Sequence, residues 1–391
     1  MRSEWSCAKL GDIADVQSGG TPTVSNKQLW DGDIPWYSSG ELNGIFTTDP
    51  ERTISEVGLN GSNAKLFPAG SLLIGMYDTA ALKMSILDRH AAFNQAVAGV
   101  KPNDQIDTRF VFYALSSIKD KLLSQRRGVR QKNLSLGKVR DFEIPYPPLV
   151  EQRRIVAILD EAFEAIATAK ANAEKNLRNA RELFNSLLVK VFSEAGEGWS
   201  VGNVGTVADC CLGKMLDKTK NKGEPKPYLR NFNVRWFDFD LSDVQEMRFT
   251  ADEYERYSVR RGDVVICEGG YPGRAAIWEN DAPIFIQKAL HRVRFKEPIL
   301  GRWFLYYLYS QEVSGALHQH FTGTGIQHFT GAALARLNLP LAPSTVTATL
   351  IERFDKLAEE VARLETIYRD KLASLDELKK SLLHRAFTGQ L

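Results

Sequence analysis

Cysteine is scarce in this 391-residue chain. There are four, Cys7, Cys210, Cys211 and Cys267, and no Cys-x-x-Cys pair. That argues against a disulfide framework and against a zinc site built on paired thiols, and leaves buried reduced thiols as the expectation. Long hydrophobic runs are missing too, since none approaches the roughly 18–20 residues that span a bilayer. The opening MRSEWSCAKLGDIAD has no apolar core and no cleavage signal, so a cytoplasmic address is expected. No G-x-x-x-x-G-K-[ST] phosphate loop occurs, which removes ATP-driven movement from the tasks expected of this chain. Charge of one sign is also lacking. A net charge of +2 is small for a protein that would bind nucleic acid tightly by itself. The balance hides local excess: Lys119 to Arg140 holds eight Lys/Arg and one acid, and Lys214 to Lys226 holds five lysines and two acids.

What the chain does have is most of itself twice. ELFNSLLVKVF (182–192) returns as ELKKSLLHRAF (377–387) with six of eleven positions identical, at an offset of 195. IPYPP and LPLAP keep that offset through Pro145/Pro340 and Pro148/Pro343, as do Gly128 and Gly323. RFVFYALSS (109–117) matches RWFLYYLYS (302–310), GSLLIG (70–75) matches GDVVIC (262–267), and WSCAKLGDIAD (5–15) matches WSVGNVGTVAD (199–209). The small drift in offset is what loop insertions produce. A duplication this long is not a solenoid, whose period is far shorter.

Each copy begins with about 140–150 residues of short strand-like runs punctuated by Gly, Pro, Asn and Asp, as mixed α/β structure requires. A proline stop follows, PYPPL or PLAPS, and the residue before a proline is pushed out of the helical region. Then comes a helical stretch of about 42 residues, roughly 63 Å long. Its apolar positions alternate steps of four and three, through Ile155, Leu159, Ala162, Ile166, Ala169, Ala173, Ala180, Leu183 and Leu187 in the first copy. The second copy runs through Leu350, Phe354, Leu357, Val361, Leu364, Tyr368, Leu375, Leu378 and Leu382. This pattern predicts a coiled-coil seam, with Asn176 and Lys371 as matched polar residues that set its register. An antiparallel pairing is expected, because in a parallel one the second globule would have to span the roughly 63 Å rod, and a compact 150-residue domain has a radius of gyration of only about 15 Å. The plan is that of a dimeric DNA reader fused into one chain, free to let its two readers diverge.

The paired openings W…LGDIADVQSGGTP and W…VGTVADCCLGK, the run IPYPPLVEQRRIVAILDEAF at 144–163 and the ending LLHRAFTGQL resemble the specificity subunit of a type I restriction–modification enzyme. The resemblance covers essentially the whole chain. It implies an α+β protein: two α/β target-recognition globules separated by a long antiparallel two-helix coiled coil, with a pseudo-twofold internal repeat. The corresponding divisions are 1–148, 149–193, 194–343 and 344–391. It also implies double-stranded DNA as ligand, each globule reading one half of an asymmetric bipartite site. Two adenine-methyltransferase subunits are the implied partners, and restriction/translocase subunits can join them. The chain itself is then non-catalytic, with no cofactor, no metal and no membrane. One departure from the family pattern is visible: EQRRI (151–155) at the first helix start becomes VTATL (346–350) at the second.

Two loops per copy are candidate DNA contacts. The first follows the GSLLIG or GDVVIC strand and supplies Tyr77, Asp78, Thr79 and Lys83, or Glu268, Gly269, Gly270, Tyr271 and Arg274. Its glycines allow close backbone approach, Arg274 suits a bidentate guanine contact, and Asp78 or Glu268 can accept from a cytosine amine. The second loop is RRGVRQKNLS (126–135), or FTGTGIQHFT (321–330) in the other copy. Gln131, Asn133, Gln327 and His328 are candidate base-edge readers, with Thr322 and Thr324 beside them. Arg126, Arg127, Arg130 and Lys132 suit phosphates. Ordinary hairpin tips are the bland alternative. Trp30, Trp36, Trp236 and Trp303 are expected in the core. Two other functions compete: a protein-binding coiled-coil scaffold and a stand-alone DNA nuclease. For the nuclease, Asp217, Glu224 and Lys226 have a D…E-x-K spacing, but Pro225 and Pro227 argue against a central strand there.

Overall fold

Two short apolar runs organise the two halves of the chain alike. In the computed structural model, which describes residues 5–77, 80–124, 134–194, 196–217 and 219–391, Leu72–Gly75 and Val264–Cys267 are inner strands of two four-stranded antiparallel sheets. Each strand is entered through a glycine at positive φ, Gly70 at 84° and Gly262 at 89°, where a side chain would be strained. The first sheet has the order Val16–Ser18, Val97–Val100, Leu72–Gly75, Met84–Ile86. The second repeats it with Ala208–Leu212, Leu290–Phe295, Val264–Cys267, Ala275–Ile277.

Side chains alternate across these strands, and both faces are covered. Leu72 and Ile74 face a core with Phe110 and Val111, while Leu73 joins Tyr37, Phe67 and Phe93. In the second copy Val264 and Ile266 pack with Trp303 and Phe304, while Val265 and Cys267 pack with Leu229 and Trp278. Burial on both faces is why these runs read as continuous hydrophobics rather than as an alternating pattern. A smaller sheet accompanies each. In the first copy it is Arg52–Ile54, Trp30–Tyr37 and Ala92–Phe93, in the second Gln245–Phe249, Glu224–Leu229, Ile284–Ile286 and Ser258–Val259. Both contain one parallel pair, Trp36 opposite Ala92 and Tyr228 opposite Phe285.

The chain divides into two compact units, residues 1–173 with 370–391, and residues 174–369. The long helices, Leu149–Ser193 and Ser344–Phe387, each contribute to both. Within the first unit Ile155, Leu159, Phe163 and Ile166 share a core with Ala386 and Phe387. Lys170 pairs with Asp376, and Arg154 donates to the Leu391 carbonyl at 3.0 Å. Within the second unit Phe184, Leu188 and Phe192 share a core with Phe354 and Val361, and Arg181 pairs with Glu365. In each unit, contact positions rise along one helix as they fall along the other, so the helices run antiparallel there.

The seam departs from a strict heptad. Leu183 and Leu378, expected inside, are 64% and 47% exposed, while Phe184 and Leu188 are buried. A straight helix drifts about 20° per heptad from a 3.5 repeat. Over the four heptads from Ile155 the buried stripe therefore moves one position round. Asn176 and Lys371, expected as polar seam residues, are both exposed, so register is held instead by the cross-helix ion pairs and the aromatic contacts.

A polar clasp fixes each long helix to the shorter helix that packs on the sheet. Arg109 and Tyr113, on the helix Thr108–Ser124, both reach Asp160 Oδ1 at 2.6 Å. In the second copy Arg302 donates to Asp355 Oδ1 at 2.9 Å and Tyr306 donates to the same oxygen. Burial, and then the carboxylate beside it, push the Tyr113 hydroxyl up to about 12, and Tyr306 is raised by the same two causes.

The helix starts differ where the sequence differs. Gln152 is fully buried, accepts from the Asp107 amide at 2.8 Å, and donates to the Pro147 and Gln105 carbonyls. Its counterpart Thr347 is also buried, and its hydroxyl donates to the Ala342 carbonyl at 3.2 Å. Among the cysteines Cys211 and Cys267 are buried and Cys210 is half-buried, but Cys7 is exposed, contrary to expectation, on a strand, Ser6–Lys9, with no buried residue. Trp30, Trp36 and Trp303 are buried, and Trp236 is partly so.

Candidate nucleic-acid interface

In the second unit the two candidate loops meet. Glu268–Arg274 closes on itself through Gly273 N–H to the Cys267 carbonyl (2.9 Å) and Cys267 N–H to the Arg274 carbonyl (2.8 Å). The turn needs Gly270 and Gly273 at φ of 79° and 86°. A Cβ on Gly270 would lie 2.1 Å from Asn231 Nδ2, and one on Gly273 2.5 Å from Leu317 Cδ2. The other loop doubles back at Gly323, with Thr322 and His328 exchanging amide–carbonyl bonds of 2.9 and 2.8 Å. Phe329 N–H then donates to the Glu268 carbonyl at 2.7 Å, and His328 Nδ1 lies 3.2 Å from Glu268 Oε2. Behind this junction sits His291, buried and held neutral by that burial, with Nε2–H on the Phe329 carbonyl at 2.9 Å.

Tyr271, Thr322, Thr324 and Gln327 are exposed, and His328 is half-buried beside them. An amide, hydroxyls and an imidazole in these two joined loops offer the donors and acceptors that base edges and phosphates take. Arg274 is different from expectation. Its guanidinium donates to the Asn231 carbonyl at 3.1 Å and stacks 3.8 Å over the Tyr271 ring, so it braces the loop instead of presenting a free fork. Glu268 is likewise engaged, by His328.

Sequence reasoning missed Asn231, Phe232 and Ile326. Asn231 Nδ2 donates to the Gly269 carbonyl at 3.1 Å, which places the Arg230–Arg235 segment against the same loop. Phe232 is half exposed, with the Arg235 guanidinium 5.2 Å from its ring, and Ile326 is 73% exposed. The interleaving of aromatic, Asn and Arg in RNFNVRW was the available signal.

In the first unit the equivalent backbone junction is present: Leu134 N–H donates to the Met76 carbonyl at 2.8 Å. Tyr77 is exposed next to it, and Lys83 is tied to Asn43 Oδ1 at 2.9 Å. Asp78, Thr79, Arg126, Arg127, Arg130, Gln131, Lys132 and Asn133 lie outside the described residues.

Contrary to expectation, Pro225 and Pro227 do not keep the segment that carries Glu224 and Lys226 out of a strand. Glu224–Leu229 is a strand, prolines included. One neighbour pairs along Glu224 to Tyr228, but the other pairs only from Tyr228 onward, so Pro225 and Pro227 stand where one side is open. Glu224 is taken up by Lys226 at 2.9 Å and by the Tyr254 hydroxyl at 3.1 Å, and Asp217 by the Thr219 and Lys220 amides. Among the described residues no group of three or more His, Cys, Asp or Glu is placed to hold a metal ion, and no helix is long and apolar enough to cross a membrane.

The family model for the type I restriction modification DNA specificity domain matches residues 2–177. The chain belongs to the type I DNA specificity subunits. It is similar to the MjaVIII specificity subunit of Methanocaldococcus jannaschii, 22% identical over 99% of this chain and 93% of the relative. It is 25% identical to the MjaIX specificity subunit of the same organism over 52% of this chain, an alignment that spans about half (51%) of that relative. Its fold is that of a chain from a structure concerned with complex assembly and conformational transition of a type I R-M system (TM-score 0.82, 18% identity, 100% of this chain and 99% of that one). In this specificity subunit, then, a duplicated frame carries loop tips of different chemistry in its two copies.

Proposed function

We propose that this chain recognises an asymmetric bipartite sequence in double-stranded DNA. In this reading 1–148 and 194–343 each read one half, and the helical segments 149–193 and 344–391 set the gap. The chain does no chemistry itself. Two adenine-methyltransferase subunits, and in some assemblies restriction/translocase subunits, act where it places them in the cytoplasm. The observation that carries the reading is the junction of the two loops in the second unit, Phe329 N–H on the Glu268 carbonyl, and its repetition as Leu134 on Met76 in the first. An equivalent backbone link joins the two loops in each copy, while the side chains around it differ. In this reading the base readers are Gln131, Asn133, Gln327 and His328, supported by Thr322, Thr324, Tyr77 and Tyr271, with Arg126, Arg127, Arg130 and Lys132 on phosphates.

The test is methylome sequencing of a strain carrying only this chain and its methyltransferase. The expected result is one bipartite motif with unlike halves. Exchanging 321–330 should change one half and leave the other intact, whereas a motif altered in both halves, or in neither, overturns the assignment.

A further inference from the structure

One place in the frame is filled in the second unit and open in the first. In the second unit Trp236 and Phe237 follow the turn Asn231–Asn233 and press against the helix Ile299–Val313, which carries Arg302 and Tyr306. Phe237 ring contacts lie 5.5 Å from Tyr306, 4.9 Å from Tyr309 and 6.5 Å from Phe184, and Trp236 lies 5.1 Å from Tyr309. Phe237 does this at a φ of 65°, in the left-handed region that a bulky residue rarely adopts.

The first unit has the same turn at Ser39–Glu41. Both turns are closed by a side chain accepting from the preceding amide, Glu41 from Ser38 at 2.6 Å and Asn233 from Arg230 at 2.9 Å. At that offset of 192, Gly44 and Ile45 stand for Trp236 and Phe237. Ser116 stands for Tyr309 and Lys379 for Phe184. Where the second unit has four aromatic rings the first has Gly, Ile, Ser and Lys. What remains there is a cleft of about 830 Å³. Its apolar wall is intact, with Phe112, Phe163, Met84 and Leu383.

The rim states the charge of what would fill it. Lys83, Arg109, Lys119 and Lys379 line the cleft against two carboxylates, Asp160 and Glu164. Asp160 is already held by Arg109 and Tyr113. Arg109 Nε is buried with no acceptor, whereas the same atom of Arg302 donates to Asp355. A buried donor left unpaired is costly until an acceptor arrives.

We propose that this cleft receives, from a partner protein, an aromatic side chain flanked by carboxylates, supplying in trans the ring that Phe237 supplies in cis in the other unit. The proposal does not depend on the DNA-reading assignment. The test titrates the full-length chain calorimetrically with the blocked tripeptides Glu-Trp-Asp, Glu-Ala-Asp and Lys-Trp-Lys, and with indole-3-acetate. Glu-Trp-Asp is expected to bind at least about tenfold more tightly than either other peptide. Ser116→Tyr with Lys379→Phe, which copies residues of the filled unit, should remove that binding with the thermal midpoint retained. Lys379 is exposed, so Lys379→Glu spares the fold and should abolish the preference for acidic flanks even if the double variant does not fold. Equal binding of the Trp and Ala peptides, or an acidic preference untouched by Lys379→Glu, overturns the proposal. So does indole-3-acetate binding more tightly than any peptide, which would make the cleft a small-molecule site.

Discussion

The clasps of the two units and the loop tips of the two units have diverged to very different degrees. Arg109, Tyr113 and Asp160 recur as Arg302, Tyr306 and Asp355, with arginine and tyrosine meeting on one carboxylate oxygen in both, through Nη2 of Arg109 and Nε of Arg302. The loops 126–135 and 321–330 keep little more than Gly128/Gly323 and an apolar anchor, Leu134/Phe329. The clasp joins two helices through part-buried side chains, so a change to one member leaves the others short of a partner. A tip whose polar side chains face solvent, as Thr322, Thr324 and Gln327 do, has no such constraint. The difference separates what carries the geometry from what is open to selection for a ligand.

The largest effect should come from the shared core. Phe354, fully buried among Trp303, Tyr306 and Phe192, should lose about 3–5 kcal/mol on truncation to alanine. Leu159, its fully buried counterpart, should lose about 2–5 kcal/mol on the same change. Urea unfolding measures both, and a loss near zero in one unit alone would break the equivalence of the two frames. Next comes the clasp itself. Asp160→Ala and Asp355→Ala should each cost about 2 kcal/mol, less than a fully buried pair because part of each arginine faces solvent. The tips should behave in the opposite way. Tyr271→Ala with Gln327→Ala should leave the unfolding curve in place while relaxing one half-site by about 1–3 kcal/mol per lost base contact, read as methylation of mismatched sites.

The smallest effect, absent at neutral pH, concerns the clasp tyrosines. Their folded pKa values are raised above the ordinary value of about 10, to about 12 for Tyr113. A raised value means that the fold favours the neutral phenol, so this stabilisation is complete below about pH 10 and is lost as pH climbs through the folded value. Alkaline unfolding should therefore be less steep in Tyr113→Phe. An identical alkaline profile would show that the Tyr113–Asp160 bond is not part of the folded state.

Much of the frame was legible in the sequence because it is written in local patterns. The proline stops, the long apolar periodicity and the matched GSLLIG and GDVVIC runs lead directly to the two long helices and the two inner strands. The seam slipped because a heptad template is tuned to supercoiling, and these helices also bury Phe184 and Phe192 against a sheet domain. The clasp was hidden for another reason: it joins residues some fifty positions apart, and no spacing rule ties Arg109 and Tyr113 to Asp160. Pro225 and Pro227 misled because a strand open on one side tolerates what a fully paired one does not. At the interface, loop identity was readable from divergence between the copies, but side-chain direction was not, and Arg274 turned inward onto Tyr271.

The antiparallel pairing carries a final consequence for how such a chain can change its length. Partner positions in the helices add to a near-constant number: 154 and 391, 170 and 376 in one unit, 181 and 365, 192 and 354 in the other. Within a unit, an insertion between two such partners in one helix alone would leave the outer one facing the wrong gap. A viable lengthening must therefore be made twice, once in each copy, and the duplicated gene supplies the template for the second edit.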